Sequence, residues 1–290
     1  MFVFKAAVVG AGVMGGEIAQ VIAAADVPVV LKDVDQRFVD AGLEKAREVT
    51  EGQLGALVRK ERLTQEQAGA QRDHILRLIT GTTSYETFGD VDFVIEAVPE
   101  AIEIKHAVYS ELDAVTPGHA ILASNTSGLS ITEIAEAVDR PEKVVGFHFF
   151  WPASRMRLIE IVEGDETSPE TLQAAANFAQ AIRKTPVRCA EVPGFVVNRI
   201  LTSTASEIWR YQDESGVPVE AIDEALTASK IMPMGPFRLG DMSGLDTALK
   251  VAKDLRDAYG DRFYVHQGME AKVDAGELGA KSGKGFYEHA

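Results

Sequence analysis

Six residues near the start constrain this chain more than any others. Gly10-Ala11-Gly12-Val13-Met14-Gly15 sits between an apolar run at 5–9 and a helix-forming stretch, with a second apolar run at 29–31 and Asp33 directly after it. Strand, glycine turn, helix, strand and acid follow one another in the order of a dinucleotide-binding βαβ unit. Gly10 permits the tight turn, Gly12 lets backbone approach a pyrophosphate, and Gly15 lets the helix pack closely on the strand. Val13 and Met14 open the helix, whose N-terminal N–H groups favour an anion. A carboxylate at Asp33 accepts hydrogen bonds from both adenosine ribose hydroxyls and repels a 2′-phosphate, so NAD is expected rather than NADP. Strand alternation turns the neighbouring Lys32 away from that ribose.

The rest of the chain reads as two architectures. Apolar segments at 76–79, 91–98, 119–124, 144–149, 158–162 and 187–190 alternate with helical stretches at 104–112 and 131–138 and with a helix opened by Ser168-Pro169. Residues 37–59 form one long helix, and Thr64 with Gln67 makes a capping box for another. This pair is expected to project as a helical arm. After Pro193-Gly194 the period becomes helical, at 195–211, 219–228 and 245–259, with 232–236 as a rigid connector. The expectation is therefore an α/β, Rossmann-type dinucleotide-binding domain with a helical arm over 1–192, followed by an all-α substrate and dimerisation domain over 193–290.

Composition excludes several classes. A net charge of −15 argues against a nucleic-acid partner. No apolar stretch reaches the roughly 18 residues of a membrane span, and the N-terminus runs straight into the first strand without a signal peptide. The lone Cys189 forms no internal disulfide and reads as a small buried residue in a reducing, cytoplasmic setting. No metal is expected. The same negative charge repels an anionic substrate, so a phosphorylated ligand needs local cations. Two clusters qualify, Arg59, Lys60 and Arg62 on the arm, and Arg155 with Arg157 in a loop before a strand; each also reads as a solvated basic face.

Dehydrogenation by NAD requires a group that takes the alcohol proton. His148 ends one strand and Glu160, among Leu158, Ile159, Ile161 and Val162, lies twelve positions on. An unpaired carboxylate in that run is expensive to bury, and a histidine on an adjacent strand is a natural partner. Such a pair suits general base catalysis; a purely structural hydrogen bond is the competing reading. Ser124-Asn125-Thr126-Ser127 follows a strand, where open α/β sheets bind ligands, although a turn capping a helix fits equally. Asn198 and Arg199 face a cleft or hold the domain junction. Glu96 and Glu100, with Lys105 beyond them, either reach the nicotinamide ribose or serve as ordinary helix N-terminal charge.

Taken together, the segments VVGAGVMGGEIAQ, VVLKDVD, FVIEAVPE, ASNTSGLSI, GFHFFWPASRMRLIEIVEG, VPGFVVNRI, MPMGPFRLGDMSGLD and KSGKGFYEH resemble the L-3-hydroxyacyl-CoA dehydrogenase family across nearly the whole chain. The wording VPVVLKD and ASRMRLIEIV is also similar to the dehydrogenase section of bacterial multifunctional fatty-acid oxidation subunits, and the lack of a hydratase section resembles a free-standing version. The resemblance implies NAD-dependent, reversible oxidation of an (S)-3-hydroxyacyl-CoA, with His148 as base and Glu160 as its partner. It implies that Ser127 and Asn198 hold the substrate's reacting oxygen and thioester, and that Asp33 binds the adenosine ribose. Glu100, in preference to Glu96, and Lys105 would lie near the nicotinamide ribose, Arg59 and Lys60 near the CoA nucleotide, and a homodimer would form through the C-terminal helices. The chain departs from the family pattern at Trp151, where asparagine is usual; an indole donates one hydrogen bond and accepts none, which implicates Trp151 in acyl specificity. Pro99 and Gly128 are lesser departures. The alternatives are a dehydrogenase of a 3-hydroxy acid without CoA and an NAD-binding structural protein that has lost turnover.

Overall fold

The computed structural model describes residues 2–289, and the chain divides between Glu191 and Val192 into two compact units. The first unit is built on one eight-stranded sheet: β1 Ala6–Val9, β2 Val29–Lys32, β3 Ile79–Thr82, β4 Phe93–Glu96, β5 Ile121–Ser124, β6 Val144–Phe149, β7 Leu158–Glu163 and β8 Thr185–Ala190. Their order in the sheet is β3-β2-β1-β4-β5-β6-β7-β8. All neighbours are parallel except β6 and β7, which run antiparallel. A parallel sheet covered by helices buries both faces of its central strands, and β1, β2, β4 and β5 are accordingly buried at every position.

Among the described residues, six α-helices belong to this unit: α1 Val13–Ala23, α2 Gln36–Arg59, α3 Gln65–Arg77, α4 Ile102–Val115, α5 Ile131–Ala135 and α6 Pro169–Ala181. The glycine turn has the geometry its sequence demands. Gly10 adopts φ +100°, and a side chain there would meet the Ala97 carbonyl at 2.5 Å. The core gathers Phe93, Phe147 and Phe178, with ring centroids 4.6–6.1 Å apart. This is the expected Rossmann-type architecture.

The arm differs from expectation. Instead of standing free, α2 buries a stripe of Val39, Gly42, Ala46, Thr50 and Leu54, at helical spacing, and packs along α1. Thr64 and Gln67 do form the reciprocal capping box that opens α3. The signal at 76–79 straddles two elements, because α3 runs through Arg77 and β3 begins only at Ile79. Cys189 is half-buried, not buried, since β8 is the sheet's edge. Its thiol is pushed up to about 12, first by burial and then by the Glu160 charge, which makes it a poor nucleophile.

The second unit contains α7 Val197–Ser215, α8 Val219–Ala228, α9 Pro236–Ser243, α10 Leu245–Tyr259 and α11 Gln267–Asp274. Its core joins Trp209, Ile222, Phe237, Leu245, Leu249 and Met269. Pro236 closes the expected connector by occupying the first turn of α9, where a missing N–H costs nothing. Two buried carboxylates organise the unit. Asp223 accepts from the N–H groups of Phe237 and Arg238 at 3.2 and 2.8 Å and from the Tyr287 hydroxyl at 2.8 Å. Asp241 accepts from the N–H groups of Phe286 and Tyr287 and from His289 Nε2, at 2.8–2.9 Å. The segments MPMGPFRLGDMSGLD and KSGKGFYEH are thus tied together by structural acids. Among the described residues, no helix is long and apolar enough to cross a membrane.

Candidate active site

In an open α/β sheet, ligands bind outside the carboxyl ends of the parallel strands, at the point where strand order reverses. Here that point lies between β1 and β4. The turn after β1 leads into α1, whose first turn carries no side-chain cap and no acidic residue. A Cβ placed on Gly12 would meet no atom within 4 Å, so open space faces the bare helix terminus. An uncapped N-terminus with room before it suits a pyrophosphate. Asp33 follows β2 and accepts the Ala11 N–H at 2.7 Å with Oδ2 and the Val34 N–H at 2.6 Å with Oδ1. Its carboxylate is thereby held against the glycine turn. Lys32 is buried with its ammonium 4.1 Å from the centre of the Tyr85 ring. These residues fit the adenosine diphosphate half of NAD.

The ends of β4 and β5 carry a second constellation. Glu96, the last residue of β4, is fully buried. Its Oε1 accepts from Lys105 Nζ at 2.7 Å and from the Val98 N–H at 2.8 Å, and its Oε2 accepts from the Ser124 hydroxyl at 2.7 Å. Register explains the last contact, since Glu96 pairs directly with Ser124 across the parallel strands. Lys105, on α4 and only 1% exposed, also lies 3.4 Å from Glu100. Glu100 accepts the Thr126 hydroxyl at 2.6 Å and the Ser127 N–H at 2.8 Å. Glu96 is therefore not helix N-terminal charge: α4 begins only at Ile102. Glu100 and the exposed Ser127 belong to one hydrogen-bonded group, which Lys105 joins to Glu96.

His148 and Glu160 meet. They are directly opposed in the antiparallel β6–β7 register, and His148 Nδ1 lies 2.8 Å from Glu160 Oε2. Both are nearly buried, at 5% and 1% exposure. A carboxylate against Nδ1 places the proton on that nitrogen and makes Nε2 the basic one. The Phe149 N–H donates to Asn125 Oδ1 at 2.8 Å, which joins the end of β6 to the turn after β5. A charged acceptor that orients a buried imidazole can support general base chemistry.

Trp151 is 49% exposed in the loop between β6 and β7. Arg59 and Lys60 are exposed at the C-terminal end of α2, and Arg155 and Arg157 are exposed in the 150–157 loop. Asn198 is half-buried, the second residue of α7, which starts two residues later than expected because Gly194 and Phe195 both take positive φ. Sequence reading passed over the anchoring role of Glu96; a lone acid ending the run FVIE nine residues before a lysine was the available signal. Asn125 was expected in a ligand-orienting or helix-capping turn; its bond to the Phe149 N–H was not foreseen, because it depends on strand order.

The comparisons with known proteins agree with this geometry. Residues 5–192 match the family model described as 3-hydroxyacyl-CoA dehydrogenase, NAD binding domain, and residues 194–289 match that of the C-terminal domain. A probable 3-hydroxybutyryl-CoA dehydrogenase of Deinococcus radiodurans is 40% identical over 98% of this chain and 100% of its own length. The fatty acid oxidation complex subunit alpha of a Psychrobacter species is 37% identical over 98% of this chain, which spans 38% of that protein. The crystal structure of (S)-3-hydroxybutyryl-CoA dehydrogenase from Ralstonia eutropha superimposes with a TM-score of 0.90, at 35% identity and with full coverage of both chains.

Proposed function

The chain belongs to the 3-hydroxyacyl-CoA dehydrogenase family of NAD-dependent oxidoreductases, and within that family we propose that it oxidises short (S)-3-hydroxyacyl-CoA esters with His148 as general base. The observation that carries this reading is the buried 2.8 Å contact between His148 Nδ1 and Glu160. The C4 preference is supported by relatives that carry the name 3-hydroxybutyryl-CoA dehydrogenase.

Bound NAD supplies the acceptor for the hydride that leaves C3. His148 Nε2 takes the hydroxyl proton as the C3 carbonyl forms, and Glu160 stabilises the resulting imidazolium. The reverse reaction returns both. Ser127 and Asn198 hold the reacting oxygen and the thioester. Asp33 takes the adenosine ribose, and Gly10, Gly12, Val13, Met14 and Gly15 cradle the pyrophosphate. Glu100, braced by Lys105, faces the nicotinamide ribose. Arg59 and Lys60 attract the CoA nucleotide against the chain's overall negative charge. A cytoplasmic setting fits the free thiol of Cys189.

Steady-state NADH formation with C4, C8 and C16 3-hydroxyacyl-CoA and with free 3-hydroxybutyrate tests the reading. The expected order places C4-CoA first. Turnover of the free acid alone would replace it with a dehydrogenase of free hydroxy acids, and no turnover with any substrate would leave a nucleotide-binding protein. In the same panel Trp151→Asn shifts the chain-length preference while stability stays within about 0.5 kcal/mol, because the indole is half exposed. An unchanged profile removes Trp151 from the acyl site.

A homodimer through the C-terminal helices is part of the proposal. α7 and α9 expose Ile200, Leu201, Tyr211, Leu239 and Met242, and the segment between α8 and α9 exposes Ile231. Exposed large apolar side chains on these elements are available to an association surface. Sedimentation equilibrium at twice the chain mass is the expected result; a monomer at micromolar concentration refutes it.

A further inference from the structure

One cluster singled out by the sequence, Arg155 with Arg157, has no part in the chemistry above. The loop that bears it runs directly from β6, which ends one residue after His148, to β7, which carries Glu160. Its backbone is held from three sides. Lys184 Nζ donates to the Ala153 carbonyl and, at 2.7 Å, to the Met156 carbonyl. Glu17 on α1 accepts the Ser154 N–H at 3.0 Å. Gln53 on α2 donates to the Ser154 carbonyl at 3.3 Å and accepts from Gln20 on α1 at 3.2 Å.

The side chains of the same loop point the other way. Ala153 is fully buried, whereas Trp151, Arg155, Met156 and Arg157 are exposed. A backbone fixed from within and a surface of two cations, an indole and a thioether without is the form of a presented binding face. The fixing is costly. Glu17 and Lys184 are 5% and 9% exposed, and burial lowers the Lys184 pKa while the Glu17 charge opposes that shift. Neutral donors would satisfy two carbonyls at lower desolvation cost.

We propose that Lys184, with Glu17 and Gln53, is a positioning residue that locks the 150–157 loop to α1 and α2, so that Arg155 and Trp151 present a fixed face to the polyanionic CoA ester. This rests on the acyl-CoA reading of the site but not on the role of His148. The lock also couples the loop to α2, whose far end carries Arg59 and Lys60, so two basic clusters sit on one braced framework. With a net charge of −15 opposing an anionic ligand, holding the few useful cations in place matters more than adding others.

The test measures binding of acetoacetyl-CoA and of NAD by calorimetry, together with tryptic cleavage after Arg155 and Arg157, for Lys184→Met, Lys184→Gln and Arg155→Gln. Lys184→Met weakens acetoacetyl-CoA binding about tenfold, keeps the NAD dissociation constant within twofold, and accelerates cleavage in the loop at least tenfold. Lys184→Gln, which still donates to a carbonyl, falls between it and the parent. Arg155→Gln weakens acetoacetyl-CoA binding, most at low salt, and leaves Arg157 resistant to trypsin. The proposal is overturned if folded Lys184→Met binds the CoA ester within twofold of the parent, or if NAD binding weakens equally. Should Lys184→Met fail to fold, unchanged ester binding by Arg155→Gln overturns it. Failure of His148 variants to lose turnover, with these binding results intact, would count against the base assignment alone.

Discussion

Replacing His148 by glutamine lowers kcat for 3-hydroxybutyryl-CoA oxidation by about 10²–10⁴-fold, the range for loss of a general base. Glutamine keeps a polar side chain of similar reach but cannot accept a proton at neutral pH. The NAD dissociation constant is expected to stay within twofold, because the proposed adenosine half of the site is built from β1, α1 and Asp33, not from β6. Glu160→Gln produces a loss of similar kind. An amide cannot stabilise an imidazolium, and its own N–H can turn Nδ1 into an acceptor and put the proton on the nitrogen that should be basic. Steady-state kinetics on both variants, with calorimetric NAD titration as control, decides the matter. A His148→Gln enzyme within tenfold of the parent would end the assignment and leave the 2.8 Å pair as a structural hydrogen bond.

Lys105→Met destabilises the chain by about 3–5 kcal/mol, the usual cost of removing one partner from a buried ion pair. Glu96 is fully buried, and without Lys105 it keeps two neutral donors, the Val98 N–H and the Ser124 hydroxyl. An uncompensated anion then remains at the joined ends of β4 and β5. The double variant Lys105→Met with Glu96→Gln removes both charges and regains most of the loss, since a paired deletion leaves no bare charge. Urea unfolding of parent, single and double variants measures this. A single-variant loss below about 1 kcal/mol would show that water or rearrangement solvates Glu96. Because Lys105 also lies 3.4 Å from Glu100, the single variant loosens the Ser127 turn as well.

The legible parts of the site share one property: their signals are local. The glycine turn needs only the conformational rules of a few consecutive residues, and Gly10 takes the positive φ that its position announces. The capping box at Thr64 and Gln67 and the Ser168-Pro169 helix start are likewise local. The pairing of His148 with Glu160 was also within reach, because two strands joined by a short loop pair with each other, and twelve residues set the register. Other features were out of reach. The anchoring role of Glu96 was not legible because its partners are Ser124, 28 residues on, and Lys105 on a helix. The tethering of the 150–157 loop to Glu17 and Lys184 joins segments more than 130 and nearly 30 residues away. Helices α9 and α11 are only eight residues each, too short for periodicity to declare.

Taken alone, the amino-acid order determined the glycine turn, the acid at the end of the second strand, the change from strands to helices near residue 192, and the pairing of His148 with Glu160. Those follow from backbone sterics, hydrophobic period and short-range strand pairing, which act over a few residues. Tertiary structure alone decided which carboxylate is buried and which faces outward, whether the arm stands free or lies on α1, and which loop is braced. Burial and desolvation depend on atoms brought together from distant parts of the chain, and no pattern within one segment encodes what will surround it.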